Sequence, residues 1–206
     1  MGFKFYNVIN SKENLEEIHL LDKITYSEKY LLTVEDYHTR LIKNPNQIYI
    51  VKDSNNILAG YLSMVPLQYD AYERIKKGET DKEVINFDNI IGSEEIIEYV
   101  YWDSIVINPA YRRQKLGKKL LSYGMKDLIK NNPEIKRIMA HTISKGGTNL
   151  AQKYGLEIKK NLNETTVVVE KAFSRKSNKR KRLYRNKNKR FVEVYKFNTN
   201  NDILIE

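Results

Sequence analysis

"IIEYVYWDSIVINPAYRRQKLGKKLLSYGMKDLIKN", residues 96–131, changes its hydrophobic period halfway along. Up to Ile107 the stretch is dominated by β-branched and aromatic residues, as a long central strand would be, and Pro109 ends it. From there Leu116, Leu120, Leu121, Gly124, Met125, Leu128 and Ile129 lay an apolar stripe along one helix face until "NNP" stops it. A helix starting directly after a strand presents backbone N–H groups with no acceptor inside the helix, and its dipole favours negative charge there. Phosphate is the natural ligand of such a turn. Gly117 lets a ligand approach the backbone, and Arg112, Arg113, Lys115, Lys118 and Lys119 surround it with positive charge. The alternative, an ordinary surface helix, is disfavoured because bases in a first turn oppose the dipole. A P-loop is a poor competitor, since the sequence contains no Gly-x-x-x-x-Gly-Lys-Ser/Thr pattern.

Working outward, residues 3–9 read as a first strand, and Ser11 with Glu13 and Glu16 behind it marks a helix start. A second helix is capped at Thr33 and stops before Pro45. "QIYIVKD" and "ILAGYLSMVPL", separated by "SNN", are a hairpin signal, and residues 68–95 are mixed, with a short helix expected around Tyr72 to Lys77. After the central strand and its helix come a strand at "IKRIMAHTI" and a short helix in "TNLAQKYG" that ends at Gly155. Two strands follow, "TTVVVEKAF" and "RFVEVYKFN". The order predicts an α/β sheet with helices on its faces, in a single domain spanning residues 1–206.

The chain has 206 residues and no cysteine, so disulfides and thiolate metal sites are excluded. His19, His38 and His141 show no ligand spacing, and no metal is expected. Nothing approaches the ~20 apolar residues of a membrane span, and the N-terminus lacks the apolar run of a signal peptide. A soluble, cytoplasmic protein is expected. The net charge of +10 comes from one segment, because Ser174 to Arg190 holds ten Lys or Arg and no acid. The rest of the chain carries 26 basic and 26 acidic residues. This segment, expected to connect the last two strands, is either a footprint for an anionic partner or a solvated loop.

"INPAYRRQKLGKKLL" resembles the signature of the GNAT-type, acetyl-CoA-dependent N-acetyltransferases, in which a strand ends in a Val-x-Pro-like step before Gln/Arg-x-x-Gly-x-Gly/Ala and a helix. Here Ile107, Asn108 and Pro109 fill the strand end, Arg112 the Gln/Arg position and Gly117 the final Gly/Ala, while Lys115 stands where the first glycine usually is. "LAQKYGLE" resembles the family's closing helix, with its Gly-Phe-like exit at Gly155 and Leu156, and "ILAGYLSMVPL" its third strand. The resemblance implies a mixed, mostly antiparallel central sheet flanked by helices on both faces. It also implies acetyl-CoA as co-substrate, with its pyrophosphate on the amides of Arg112, Arg113, Gln114, Lys115, Leu116, Gly117 and Lys118. The pantetheine arm would pair along Ile105, Val106 and Ile107 like an added strand, with Asn149 within reach of its amides.

Transfer of an acetyl group to an amine needs a proton acceptor, since the free amine is mostly protonated near neutral pH. The central strand offers Glu98 and Asp103, five residues apart and therefore on opposite sides unless a bulge intervenes. Asp103, nearer the reactive end, is preferred. The general acid implied by the resemblance is a tyrosine four residues before the Gly-Phe step, and that position is Ala151. Tyr154 could substitute, as could Ser144 or Thr148, and Tyr154 could equally be simple core. A thiolate, with a pKa near ~8.5, leaves without much help. The expected function is acetyl transfer from acetyl-CoA to an amine acceptor. A basic loop near the acceptor cleft would favour an acidic peptide, a nucleotide-bearing acceptor or a structured RNA. The alternative is a catalytically degenerate module that binds RNA or the ribosome through residues 174–190, suggested by Tyr184 within the run, by Lys115 and by Ala151.

Overall fold

The computed structural model describes residues 2–8, 11–79, 84–173, 183–185 and 191–193. The first of its two units, Met1–Ala172, holds β1 (Phe3–Asn7), α1 (Lys12–Lys23), α2 (Val34–Lys43), β2 (Ile48–Asp53), β3 (Leu58–Pro66), α3 (Tyr69–Lys77), β4 (Tyr99–Ile107), α4 (Leu116–Asn131), β5 (Arg137–Thr142), α5 (Lys145–Lys153), β6 (Glu157–Asn161) and β7 (Val167–Ala172). In the second unit, Phe173–Glu206, β8 (Leu183–Arg185) pairs antiparallel with β9 (Phe191–Glu193). Apart from β8, the basic segment 174–190 lies outside the described residues. So does all of the expected strand "RFVEVYKFN" beyond Glu193.

Local sequence explains most element starts. Ser11 accepts a hydrogen bond from the Asn14 amide at 3.3 Å and opens α1. Thr33 and Asp36 form a reciprocal capping box at the head of α2, as expected from Thr33. Gly78, with φ of 115°, ends α3. The seven strands lie in the order β1-β2-β3-β4-β5-β7-β6, antiparallel throughout except for β4 and β5. Side chains alternate across β3, and the alternation sorts the helices. Tyr61, Val65 and Leu67 pack with α1, α2 and α3. On the opposite face, Leu62 meets Gly124 of α4. The sheet is thus covered on both faces, as the resemblance implied.

Three elements differ from the sequence reading. Glu157–Asn161 is a strand, β6, that pairs with β7, yet all five of its residues are exposed, so no buried alternation marks it. The helix expected from Thr148 begins at Lys145, because the Ser144 hydroxyl caps it by accepting from the Gly147 amide at 3.1 Å. The Gly146–Gly147 pair is therefore part of the helix. The central strand begins at Tyr99, which leaves Glu98 just outside it.

Gly60 fixes how closely β3 approaches the end of β4. A Cβ there would lie 2.5 Å from the Val106 carbonyl oxygen and 2.6 Å from Ile107 Cδ1. Gly60→Ala is expected to push the two strands apart and cost about 1–3 kcal/mol, the usual range for overpacking. Urea unfolding that gives wild-type stability would contradict this.

Candidate active site

The site begins with a count mismatch between two strands. Ser63 pairs with Ser104 and Met64 with Trp102, so Asp103 is an extra residue in β4, a β-bulge. On its other side β4 runs parallel to β5 only from Tyr99 to Trp102, whose partner is Ala140. Beyond that point the two strands part. Among the described residues no strand pairs with residues 103–107 on that side. Their backbone forms an edge that an extended molecule can join by hydrogen bonds.

At the far end of this edge the chain turns into α4. Pro109–Tyr111 make one 3-10 turn, and Arg113 and Lys115 then take left-handed φ values of 65° and 58°. Lys115 thus adopts the conformation that glycine holds most easily, at a cost of order ~1–2 kcal/mol. The turn is held against the β2–β3 hairpin by Tyr111 Oη, which donates to Asp53 Oδ2 at 2.8 Å. Asn108 N also donates to the Ala59 carbonyl at 3.0 Å. Hydrogen bonds from the Ile57 amide, from Tyr111 and from the Asn55 amide hold the Asp53 carboxyl below its ordinary pKa. Ser11, Thr33 and Ser144 cap α1, α2 and α5, but α4 has neither a capping side chain nor an acid in its first turn. Arg112, Arg113, Gln114, Lys115 and Lys118 are exposed around this helix start. The Leu116 side chain is buried, so only its backbone is on offer. A Cβ on Gly117 would meet nothing but Ile107 Cγ1, at 3.7 Å.

The parting of β4 and β5 opens into a cleft of about 920 Å³ on the face that carries α1 to α3. Its floor includes Tyr61, Tyr101, Asp103 and Ser104, and its walls include Asp22, Tyr26 and Arg40 on one side and Lys77, Glu79 and Lys160 on another. Arg40 Nη1 lies 3.2 Å from Asp103 Oδ2, and the two side chains are 7% and 20% exposed. Asp22 is buried, yet it receives the hydroxyls of Tyr37, at 2.5 Å, and of Tyr61. Tyr61 in turn accepts from Ser104 Oγ at 3.2 Å. Burial is the main cause that raises the Asp22 pKa, opposed by its two tyrosine hydrogen bonds and reinforced by the charge of Asp103. His141, on β5, lines the cleft with its ring edge-on to Tyr101 at 5.5 Å. Neither of its ring nitrogens has a partner at hydrogen-bonding geometry, and burial lowers its pKa, partly offset by the nearby Ile75 backbone.

Several expected site residues fall together and others do not. Asp103 faces the cleft, and Ile105, Val106 and Ile107 form the free edge, although the Val106 side chain is turned into the core. Glu98 does not reach the cleft. It pairs with Lys136 at 2.5 Å, while its carbonyl accepts from Lys136 N and Arg137 N, so it anchors the start of β5. Tyr154 stands apart from the cleft lining, and its hydroxyl donates to the Lys118 carbonyl at 2.7 Å. It ties α5 to the first turn of α4. Asn149 is exposed on α5. Asp22, Tyr26, Tyr37, Arg40 and Tyr61 are not legible as site residues in the sequence, where a tyrosine on an apolar helix face or strand reads as core, and His141 shows there only its lack of ligand spacing. Among the described residues no group of three or more His, Asp or Glu is placed to hold a metal ion.

The sequence model of the Acetyltransferase (GNAT) family matches residues 13–155. No curated protein sequence matches the chain. Among solved structures, the NatC complex bound to Gag peptide and CoA is similar at 16% identity and a TM-score of 0.60, covering 84% of this chain and 100% of that one. Naa50 of Arabidopsis thaliana in complex with the bisubstrate analogue CoA-Ac-MVNAL is similar at 15% identity and a TM-score of 0.55, over 84% of this chain and 100% of that one. The GphF GNAT-like decarboxylase in complex with isobutyryl-CoA reaches a TM-score of 0.62 at 10% identity, over 84% and 99%. At these identities the likeness shows the fold.

The half-buried His141 also sets a pH dependence. Its pKa is lowered in the fold, so as pH falls through the ordinary histidine range the unfolded chain takes up the proton first, and stability drops. Between about pH 7 and pH 5 the urea midpoint of the wild type should fall. His141→Leu should reduce that fall, and an equal decline in both proteins would contradict the assignment.

Proposed function

The chain belongs to the acetyltransferase (GNAT) family, and on that premise we propose that it moves an acetyl group from acetyl-CoA to an amine by direct attack on the thioester. The observation that carries the reading is the combination of a free β4 edge with an uncapped, basic helix start beyond it. The fit to the co-substrate can be tested residue by residue. Pyrophosphate would sit on the amides that follow Lys115, with Arg112, Arg113, Lys115 and Lys118 supplying charge. Gly117 leaves room for it, since a side chain there would meet only Ile107. The pantetheine arm would add to residues 103–107 as a strand, which brings the thioester to the bulge and so to the cleft. Structures of similar fold bind CoA, CoA-peptide conjugates or isobutyryl-CoA.

In the reaction the amine nitrogen forms a bond to the thioester carbonyl carbon, the carbon–sulfur bond breaks, and the nitrogen gives up a proton. The acceptor enters from the cleft side. Tyr26, Tyr101 and Asp103 line that cleft, and aromatic faces beside a carboxylate favour an alkylammonium or arylalkylammonium group. Arg40 fixes Asp103 and limits how much of its charge is available to the substrate. Asp103 is here a positioning group for the amine, and Tyr154 is left with a packing role.

Thermal unfolding with acetyl-CoA tests the co-substrate assignment, since a ligand at 100 times its Kd adds about 2.7 kcal/mol to apparent stability. Gly117→Val should abolish that shift while the protein unfolds at its usual temperature without ligand. A variant that still binds acetyl-CoA like the wild type would overturn the site.

A further inference from the structure

We propose that Ser104, Tyr61 and Asp22 form a relay that carries the acceptor amine's proton from the cleft floor to the buried Asp22 carboxylate in its wall. The inference rests on the acetyl-transfer reading above and names the path the proton takes. Three groups stand in line and each points the right way. Ser104 lies on the cleft floor beside the bulge, and its hydroxyl donates to Tyr61 Oη at 3.2 Å. Tyr61 donates to Asp22 Oδ1. Every O–H along the chain is therefore already oriented from the cleft toward Asp22, the direction in which a proton leaving the substrate must travel. Tyr37 holds the other carboxylate oxygen, Oδ2, at 2.5 Å and fixes the carboxylate plane. The Tyr37 and Tyr61 rings meet edge-to-face at 6.5 Å, which keeps the two hydroxyls in place.

An acceptor that enters as an ammonium first gives one proton to solvent; as the neutral amine then forms the carbon–nitrogen bond, its second proton moves to Ser104 Oγ, the Ser104 proton to Tyr61 Oη and the Tyr61 proton to Asp22 Oδ1. Ser104 and Tyr61 end as neutral hydroxyls, and Asp22 ends protonated. The carbon–sulfur bond breaks with its electron pair on sulfur, and the CoA thiolate then takes a proton from solvent while Asp22 releases one. Neither hydroxyl ionises on its own, as burial raises the pKa of the Tyr61 phenol well above its ordinary value. The groups that face Asp22 are His19 on its own helix, Tyr26 after it, Tyr37 and Arg40 on α2, Tyr61 on β3, and Asp103 and Ser104 on β4. Burial and the Asp103 charge make Asp22 a stronger proton acceptor than an exposed aspartate, while the tyrosines and His19 moderate it. Asp103, by contrast, has one oxygen committed to Arg40.

The test measures thiol release from acetyl-CoA with phenethylamine as acceptor, together with acetyl-CoA binding by calorimetry. Tyr61→Phe and Ser104→Ala should each lower kcat, toward the ~10²-fold loss typical of a missing general base, with acetyl-CoA affinity unchanged. The wild-type rate should fall on the acid side of an apparent pKa above the ordinary carboxylate value, and Asp22→Asn should remove that limb. Tyr37→Phe takes a hydrogen bond from the carboxylate but leaves the relay whole, so it should move the acid limb to higher pH. A purely structural role for the cluster predicts no such shift. Independently of any acceptor, the Asp22 carboxyl carbon signal should titrate above the ordinary range and move in Tyr61→Phe. Wild-type kcat and an unshifted acid limb in both Tyr61→Phe and Ser104→Ala would overturn the relay. A loss confined to His141→Asn would overturn it in favour of that histidine. If the wild type fails to bind acetyl-CoA, the underlying reading falls and the relay falls with it.

Discussion

The extra residue in β4 governs the geometry of everything that follows. With Asp103 unmatched by β3, the strand changes direction after Trp102, and β5 does not follow it. Had the two strands stayed paired, the end of β5 would occupy the start of this edge. The divergence leaves an unpaired edge and a cleft in the same place. It also aims the bulged side chain at Arg40 on α2, so the defect in the ladder is braced by an ion pair from a different layer of the fold. A ligand that completes the edge would restore to the sheet the hydrogen bonds that the bulge removed.

The same logic of deliberate incompleteness holds at the head of α4. Helices α1, α2 and α5 each satisfy a first-turn amide with Ser11, Thr33 and Ser144, whereas α4 starts at a left-handed lysine and gathers bases. Each feature costs stability when the site holds no anion. Left-handed φ values at Arg113 and Lys115 are strained, and like charges repel one another. Packing elsewhere supplies what is needed to hold the turn: Tyr111 on Asp53, Tyr154 on the Lys118 carbonyl, and Leu116, Leu120 and Leu121 in the core. An anion on these amides would relieve the unsatisfied donors and the charge repulsion together, which makes the site's affinity and the turn's stability one quantity.

What could be read from the sequence follows from where the information resides. Periodicity and caps are local, so α1, α2, α4, the β2–β3 hairpin and the turn around Gly117 were legible from residues 3–131. Lys115 was legible as a departure but not as a conformation; the fold keeps the left-handed backbone and accepts a lysine in it. Polar β6 was missed because an edge strand with both faces exposed has no alternation to show. The start of α5 was less legible, because two glycines follow its Ser144 cap and glycine is a poor helix former. The Asp22 cluster was invisible for a different reason. Its members come from α1, α2, β3 and β4, and a tyrosine that buries a hydroxyl on a carboxylate has the same sequence signature as one that simply fills space.

That cluster and the Arg40–Asp103 pair divide two tasks that one carboxylate performs poorly. A group that attracts an ammonium must stay charged, and a group that takes its proton must be willing to become neutral. An ion pair with a guanidinium fixes the position of the first group, and burial favours the neutral form of the second. Asp103 sits against Arg40 at the cleft surface, while Asp22 sits behind it, raised in pKa by burial and by the Asp103 charge itself. The coupling has a direction. Any loss of negative charge at Asp103 would make Asp22 less basic, so the residue at the bulge tunes the acceptor behind it without touching the proton. Two carboxylates whose surroundings differ in this way form an arrangement suited to acid–base work at one site. Here the difference is built from a bulge, a buried strand tyrosine and the packing of two helices over them.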